Sequence, residues 1–175
     1  SKKIGALSIL GLLNVLVTGG LALAGLTGIW FSVKEAAFPL LVGLFVFGSA
    51  FTKNPFVESL LLNPQVMDVE KLEARLVERG AQQDFHGLLK KGTQILSLSF
   101  LLSAITNFVL GLRIFTPIDI NLSDLERAAV LNDQIAKMTG LSFGVIVVPS
   151  MIFMGVLFFY LLNRLEKITG DSYQN

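Results

Sequence analysis

Apolar residues fill most of the chain in long runs, and charged residues interrupt these runs at only a few places. A helix needs about 20 mostly apolar residues to cross the hydrocarbon core of a bilayer. Three charge-free runs of 30, 21 and 26 residues are long enough: 4–33, 92–112 and 138–163. A fourth run, 36–52, has 17 residues and reaches this length if its helix starts a turn earlier. The pattern predicts an all-α, polytopic integral membrane protein with four transmembrane helices.

The first run is too long for one upright helix. Gly25 and Gly28 can end a helix, and Trp30 suits the membrane–water interface. The chain is therefore predicted to turn here and to re-enter the bilayer. A single membrane domain over 1–175 results, with spans at 4–27, 34–52, 92–112 and 139–163, a cytoplasmic amphipathic connection at 53–91 and an outer connection at 113–138.

The basic residues predict the orientation of these spans. Ten of the 14 lysines and arginines fall on the side of the two chain ends. Lysine and arginine are enriched in cytoplasmic loops, so both ends are predicted to be cytoplasmic. The ten residues are Lys2, Lys3, Lys53, Lys71, Arg75, Arg79, Lys90, Lys91, Arg164 and Lys167, and the four on the outer side are Lys34, Arg113, Arg127 and Lys137.

Lys34 and Glu35 are the only charged residues between residues 4 and 52. They are predicted to lie at the outer membrane–water boundary, on the first turn of the second span. Residues adjacent in sequence do not face each other on a helix, so the two charges are expected to need other partners. Arg113 or Lys137, on the same predicted side, is the candidate counter-charge for Glu35.

The composition supports a membrane protein and excludes several classes of function. The chain is 53% hydrophobic and 15% charged, against about 25% charged in typical soluble domains. Its net charge is only +1 and its basic residues are scattered, so the sequence predicts no basic surface for binding nucleic acid. It has no cysteine, and its one histidine, His86, is expected on a helix surface, so we predict no metal and no cofactor. No ionisable residue falls at mid-membrane, so the spans lack the residues on which proton relays and ion-coupled pumps depend.

Two spans carry patterns of small or polar residues. Gly20, Ala24 and Gly28 form a small-residue seam in the first span, which is typical of closely packed helices. In the third span a polar stripe recurs at helical spacing, and either helix packing or a polar solute path explains it. The stripe consists of Ser99, Ser103, Thr106 and Asn107, whereas Ser97 lies off it and can bond to a carbonyl of its own helix.

Pro149 lies near the middle of the fourth span. Proline removes a backbone hydrogen bond and favours a kink. Broken helices line some transporter sites, but a packing kink is the commoner role of a lone proline.

The two connections predict further helices. Asn54-Pro55 and Asn63-Pro64 are typical of an N-cap residue followed by the first residue of a helix, so residues 55–62 are expected to form a short interfacial helix. Asp68 is expected to cap a second helix that ends at Gly80, and a third, from 82 to 91, runs into the third span. In the outer connection Ser123-Asp124-Leu125-Glu126 is a capping-box pattern. The helix that it starts has an apolar side suited to the membrane surface: Leu125, Ala128, Ala129, Ile135 and Met138.

Three segments carry a family resemblance, and they read "WFSVKEAAFPLLVGLFVFGSAFTKNPFVESLLLNP", "KKGTQILSLSFLLSAITNFVLG" and "FGVIVVPSMIFMGVLFFYLL". They resemble an uncharacterised bacterial family of polytopic inner-membrane proteins labelled intracellular septation protein A-like. The resemblance implies the inner membrane of a bacterium and further apolar segments ahead of "LSILGLLNVLVTGG" in the full protein. It implies no activity or substrate. The residues that match the family are Lys34, Glu35, Lys53, Pro55, Thr93, Ser103, Asn107 and Pro149.

The leading functional interpretation is a non-catalytic membrane subunit or scaffold. It would lie in the lipid bilayer and associate with another membrane protein or with itself, as small-residue seams and interfacial charges in need of partners suggest. The alternative is a small-solute transporter or channel component that uses the polar stripe and the Pro149 kink. No catalytic constellation is found, and an enzyme would need a site at the outer interface around Glu35, Arg113 and Lys137.

Overall fold

The computed structural model describes residues 15–17, 19–20, 24, 26–62 and 67–170. These residues form helices and connecting turns, with no β-strand among them. The helices are α1 (Ile29–Ser49), α2 (Phe56–Leu61), α3 (Val69–Glu78), α4 (Gln82–Ile114), α5 (Asp124–Ser142), a π-helical segment (Phe143–Val147) and α6 (Val148–Thr169). The predicted first span, 4–27, lies largely outside the described residues.

Three helical stretches are long and apolar enough to cross a membrane: Ile29–Ser49, Gln82–Ile114 and Asp124–Thr169. Only 22%, 22% and 11% of the residues in their most apolar windows are buried within the chain. Their remaining apolar surface needs a non-aqueous surrounding, so the chain is a membrane protein whose helices contact lipid.

Helix α1 starts five residues before the predicted span. Gly28 precedes it in a turn with a φ of +60°, and the N–H of Phe31 donates to the Gly28 carbonyl at 3.1 Å. This backbone conformation suits glycine. It also removes Gly28 from the predicted small-residue seam, because Gly28 belongs to a turn and not to the first helix.

The described residues divide into two compact units. The first unit takes its described residues from Ser1–Phe38 and Ser103–Val147. Its core is a cluster of Phe31, Phe115 and Met138, with Leu110, Ile114, Leu131 and Ile135 packed against it. The rings of Phe31 and Phe115 lie 5.2 Å apart between centroids, a distance at which tilted aromatic rings attract each other.

The second unit takes its described residues from Pro39–Leu102 and Val148–Asn175. Leucines from α2, α3, α4 and α6 dominate its larger core, and the fully buried ones are Leu61, Leu72, Leu89, Leu96, Leu161 and Leu165. The apolar sides of α2 and α3 therefore pack inward against this core.

The predicted caps of α3 and α5 are confirmed. The Asp68 side chain accepts the N–H of Lys71 at 3.0 Å, and α3 ends in a turn at Gly80, whose φ is +61°. At the start of α5, Ser123 and Glu126 form both hydrogen bonds of a capping box. These caps satisfy N–H groups that have no partner within their own helix.

Helix α5 differs from the predicted surface helix. It continues through the π-helical segment into α6, so one helical stretch runs from Asp124 to Thr169. Met138 is buried, but Leu125 is 83% exposed, so only part of the predicted apolar side packs within the chain. The π-helical segment ends two residues before Pro149. A proline ring clashes with the backbone carbonyl one turn earlier in a regular α-helix, and the wider π-helical turn relieves this clash.

Candidate functional site

Pro55 and Thr93, both predicted site residues, come together at the start of α2. Pro55 is the N-cap residue, and no side chain caps the helix locally, so the expected Asn54 cap does not form. The Thr93 hydroxyl instead accepts the N–H of Val57 at 3.1 Å, and the Ser49 hydroxyl accepts the N–H of Phe56 at 3.1 Å. Both acceptors belong to other helices, so α2 is capped from outside its own sequence.

Lys34 and Glu35 lie on the second turn of α1. The Nζ atom of Lys34 is 2.6 Å from Oε1 of Glu35, and their side chains are only 11% and 28% exposed. The expectation that these two charges cannot pair was therefore wrong. Adjacent residues diverge at Cβ, but the four-carbon lysine chain and the two-carbon glutamate chain can both bend to one place at the helix surface. The pair also weakens one reason for expecting a partner protein, because Glu35 needs no counter-charge from elsewhere.

The other predicted members of this outer site lie apart from the pair. Lys137 is 2.7 Å from Asp133, one turn away on α5, and Arg113 is exposed on the last turn of α4. The structure therefore gives Glu35 a different counter-charge from the two that were predicted. Among the described residues, no group of three histidine, aspartate or glutamate side chains could hold a metal ion.

Two side chains of the polar stripe of α4, those of Ser99 and Asn107, donate hydrogen bonds within their own helix. The Ser99 hydroxyl donates to the Leu96 carbonyl at 2.7 Å, and Nδ2 of Asn107 donates to the Ser103 carbonyl at 2.9 Å. Thr106, like the other three, is half-buried. Ser97 bonds to the Gln94 carbonyl at 2.7 Å, as predicted. These bonds satisfy the Ser99 hydroxyl and one N–H of the Asn107 amide without a solute. The choice between packing and a solute path stays a prediction.

The remaining two predicted residues are exposed. Lys53 lies in the turn between α1 and α2, and Pro149 lies in the first turn of α6. Neither forms a polar site with the residues above.

The sequence interpretation missed a seam of small buried residues on α4. Thr93, Ser97, Ala104 and Gly111 follow one another at intervals of four, seven and seven residues, and all four are buried. Such spacing keeps side chains on one face of a packed helix and could have been read from the sequence. The polar stripe was predicted as the notable feature of this helix instead, although its hydroxyl groups lie on a half-buried face.

The seam allows close approach to α1 within each unit. In the first unit, a Cβ added at Gly111 would lie 2.9 Å from the Cα of Ser32. In the second unit, a Cβ added at Gly43 would lie 3.0 Å from the Cβ of Phe100 and 3.5 Å from the Ser97 carbonyl. These glycines are therefore packing positions.

Two buried oxygen atoms in the first unit lack hydrogen-bond partners among the described residues. They are Oγ of Ser32 and Oε1 of Gln134. The amide nitrogen of Gln134 donates to both the carbonyl and the hydroxyl of Thr116, at 3.3 and 3.1 Å. These contacts hold the Gln134 side chain against the loop after α4.

Comparison with known proteins adds no relative. No protein-family model, curated protein or solved structure matches the chain. The family resemblance therefore stays a prediction, and function has to be argued from the contacts above.

Proposed function

We propose that the chain is a non-catalytic subunit of a bacterial inner membrane, which associates with another membrane protein or with a second copy of itself. The observation that carries this proposal is the pair Gly140 and Gly144. They are four residues apart, and among the described residues no atom of a packed neighbour lies within 4 Å of a Cβ added at either position.

A glycine pair at this spacing suits close contact between membrane helices. Apolar side chains meet lipid as favourably as they meet another protein, so association depends on packing that lets two backbones approach. Glycine inside a helix costs about 0.5–1 kcal/mol relative to alanine. A partner helix packed against the open side of Gly140 and Gly144 would offset this cost, whereas lipid gives no comparable gain.

The surface around this pair supports the same proposal. None of the π-helical residues Phe143–Val147 is buried, and the Phe143 side chain is 63% exposed. Aromatic side chains beside a glycine pair can pack over a partner helix. Lys34 and Glu35 give no support to a partner protein, since they bind each other.

The proposal keeps four spans with both chain ends in the cytoplasm. Three of these spans correspond to the apolar helical stretches, and the fourth is the run at 4–27. The ten basic residues on the side of the chain ends, against four on the other side, support this orientation.

Native mass spectrometry tests the proposal on protein extracted from its own membranes in mild detergent. We expect a stoichiometric partner of different mass, or a second copy. Gly144→Leu should remove that partner because leucine fills the contact surface.

Gly155→Leu is the matched control. Gly155 also has no atom of a described neighbour within 4 Å of an added Cβ, and no small residue lies four positions before or after it. Its variant should keep the partner. A wild-type protein that is monomeric by itself, or equal loss of the partner in both variants, would contradict the proposal.

A further inference from the structure

A basic groove runs between α4 and α6 in the second unit, beside the end of α3. Its volume is about 760 Å³, which suits a small-molecule or headgroup ligand. We call it the basic groove, and its charged and aromatic lining residues are Arg79, Asp84, Lys91, Tyr160, Arg164 and Lys167.

The charges of the basic groove are not balanced. It holds four cationic side chains and one carboxylate, that of Asp84. Across the part of the chain that the structure describes, no ion pair engages any of the four cations. The neighbouring Lys90 differs, because its Nζ atom lies 5.1 Å from the centre of the Phe51 ring. An anion in the basic groove would therefore meet four cations that form no ion pair with a described residue.

An apolar groove of about 210 Å³ lies next to the basic groove. It is defined by Ile95, Phe153, Val156, Leu157 and Tyr160, so the two grooves share Tyr160. Its lining exposes only apolar surface.

The two grooves follow each other along both helices. On α4, Ile95 of the apolar groove comes one turn after Lys91 of the basic groove. On α6, Val156 comes two turns before Arg164, and Tyr160 lies between them. Each helix thus has a basic residue at one end of the paired grooves and an apolar residue at the other, and on α6 Tyr160 lies between them. Tyrosine is favoured where one end of its ring is apolar and the other is polar.

We propose that the two grooves together bind one anionic phospholipid. Its phosphate headgroup lies among Lys91, Arg164 and Lys167, and an acyl chain lies along Ile95 and Val156. Basic pockets between membrane helices recognise the headgroups of anionic lipids in this way. A soluble phosphate compound would use the charges but would leave the apolar groove empty, so the apolar groove favours a lipid. This proposal is independent of the helix contact at Gly140 and Gly144.

The test measures lipid binding to the full chain in detergent by native mass spectrometry. Phosphatidylglycerol is titrated against phosphatidylcholine with the same acyl chains, and we expect preferential binding of phosphatidylglycerol. Each basic residue near an anionic surface contributes about fivefold to affinity, so Arg164→Gln/Lys167→Gln should weaken this binding about 25-fold. The control Lys71→Gln/Lys90→Gln removes the same charge away from the groove and should change binding less than about twofold.

Gly87→Leu provides a second variant without a change of charge. Gly87 lines the basic groove, and no atom of a packed neighbour in the described ranges lies within 4 Å of a Cβ added there, so leucine can fill the space without disturbing the core. It should reduce phosphatidylglycerol binding in folded protein. If the double charge variant does not fold, Gly87→Leu still tests whether the lipid binds in the basic groove.

Three outcomes would overturn the proposal. Equal binding of the two lipids would remove the role of the anionic headgroup. Equal phosphatidylglycerol binding in wild type and in folded groove variants would place the lipid elsewhere. Binding of soluble glycerol 1-phosphate as tight as that of phosphatidylglycerol would assign the groove to a soluble phosphate compound.

Discussion

The hydroxyl of Thr93 accepts a hydrogen bond from the backbone N–H of Val57 at 3.1 Å, although 36 residues separate them in the chain. Thr93 has no exposed surface and Val57 is 1% exposed, so water does not compete for this bond. The Val57 N–H belongs to the first turn of α2, where no intrahelical acceptor exists. One threonine of α4 therefore fixes the start of the helix that follows α1.

Removal of this hydroxyl should destabilise the second unit. Thr93→Val keeps the shape of the side chain but leaves the buried Val57 N–H without an acceptor. An unsatisfied buried donor costs about 1–3 kcal/mol. We expect a loss of this size in the free energy of unfolding, measured by titration with sodium dodecyl sulfate and followed by far-ultraviolet circular dichroism.

Two variants separate the interhelical bond from a general effect of threonine. Thr93→Ser keeps the hydroxyl and should retain most of the stability. Thr139→Val removes a hydroxyl that donates to the Ile135 carbonyl of its own helix at 2.9 Å, on an exposed surface. Its cost should be below about 0.5 kcal/mol. Equal costs for Thr93→Val and Thr139→Val would show that the bond to Val57 has no special role.

Much of the fold could be predicted because hydropathy and capping chemistry are local. The apolar runs predicted the helices α1, α4 and α6, and Asp68 and Ser123 predicted two helix starts that the structure has. Residues three or four positions apart decide these features, so one sequence is sufficient to detect them.

The candidate site could be predicted only in part because its contacts are not local. The acceptor for Val57 lies on another helix, and the approach of Gly111 to Ser32 depends on how two helices cross. Side-chain reach was also underestimated, since Lys34 can bend to Glu35 although their Cβ atoms diverge. The residue types that can form such contacts are visible in the sequence, but which residues contact each other depends on how the helices pack.

Gly111 should tolerate no side chain. In Gly111→Ala the new Cβ would lie 2.9 Å from the Cα of Ser32 and 3.0 Å from its Cβ, so the helices would have to separate. Overpacking of this kind costs about 1–3 kcal/mol. At Gly48 of α1 the added Cβ has no atom of a packed neighbour within 4 Å in the part of the chain that the structure describes, so Gly48→Ala should stabilise the helix by about 0.5–1 kcal/mol. Unfolding titrations of both variants test whether the free energy of unfolding falls in one and rises in the other. A stabilising effect of Gly111→Ala would contradict the close approach of the two helices.

The Lys34–Glu35 pair should contribute measurable coupling energy. Lys34 takes part in a further interaction, so a single variant mixes several effects, whereas a double-mutant cycle isolates the pair. The cycle of Lys34→Gln, Glu35→Gln and the double variant should give about 1 kcal/mol, because both side chains are mostly shielded from water.

The Lys137–Asp133 pair is the control for this cycle. Its charged atoms lie 2.7 Å apart, but its side chains are 63% and 60% exposed. Exposed pairs one helical turn apart contribute about 0.3–0.5 kcal/mol. A coupling for Lys34 and Glu35 no larger than this control value would show that their partial burial does not strengthen the ion pair.

Gly170 and Gly80 should respond alike to alanine despite different surroundings. Both have a positive φ, +71° and +61°, which a side chain adopts only with strain. A Cβ at Gly170 would in addition overlap the guanidinium of Arg79, whereas one at Gly80 meets open space. The guanidinium is the far end of a flexible side chain and can move away. Each variant should therefore lose about 1 kcal/mol of unfolding free energy, the cost of the backbone alone. Gly170→Ala could instead lose over about 1 kcal/mol more than Gly80→Ala. That result would show that Arg79 is held firmly against the end of α6. The position of this cation in the basic groove would then be fixed by the fold.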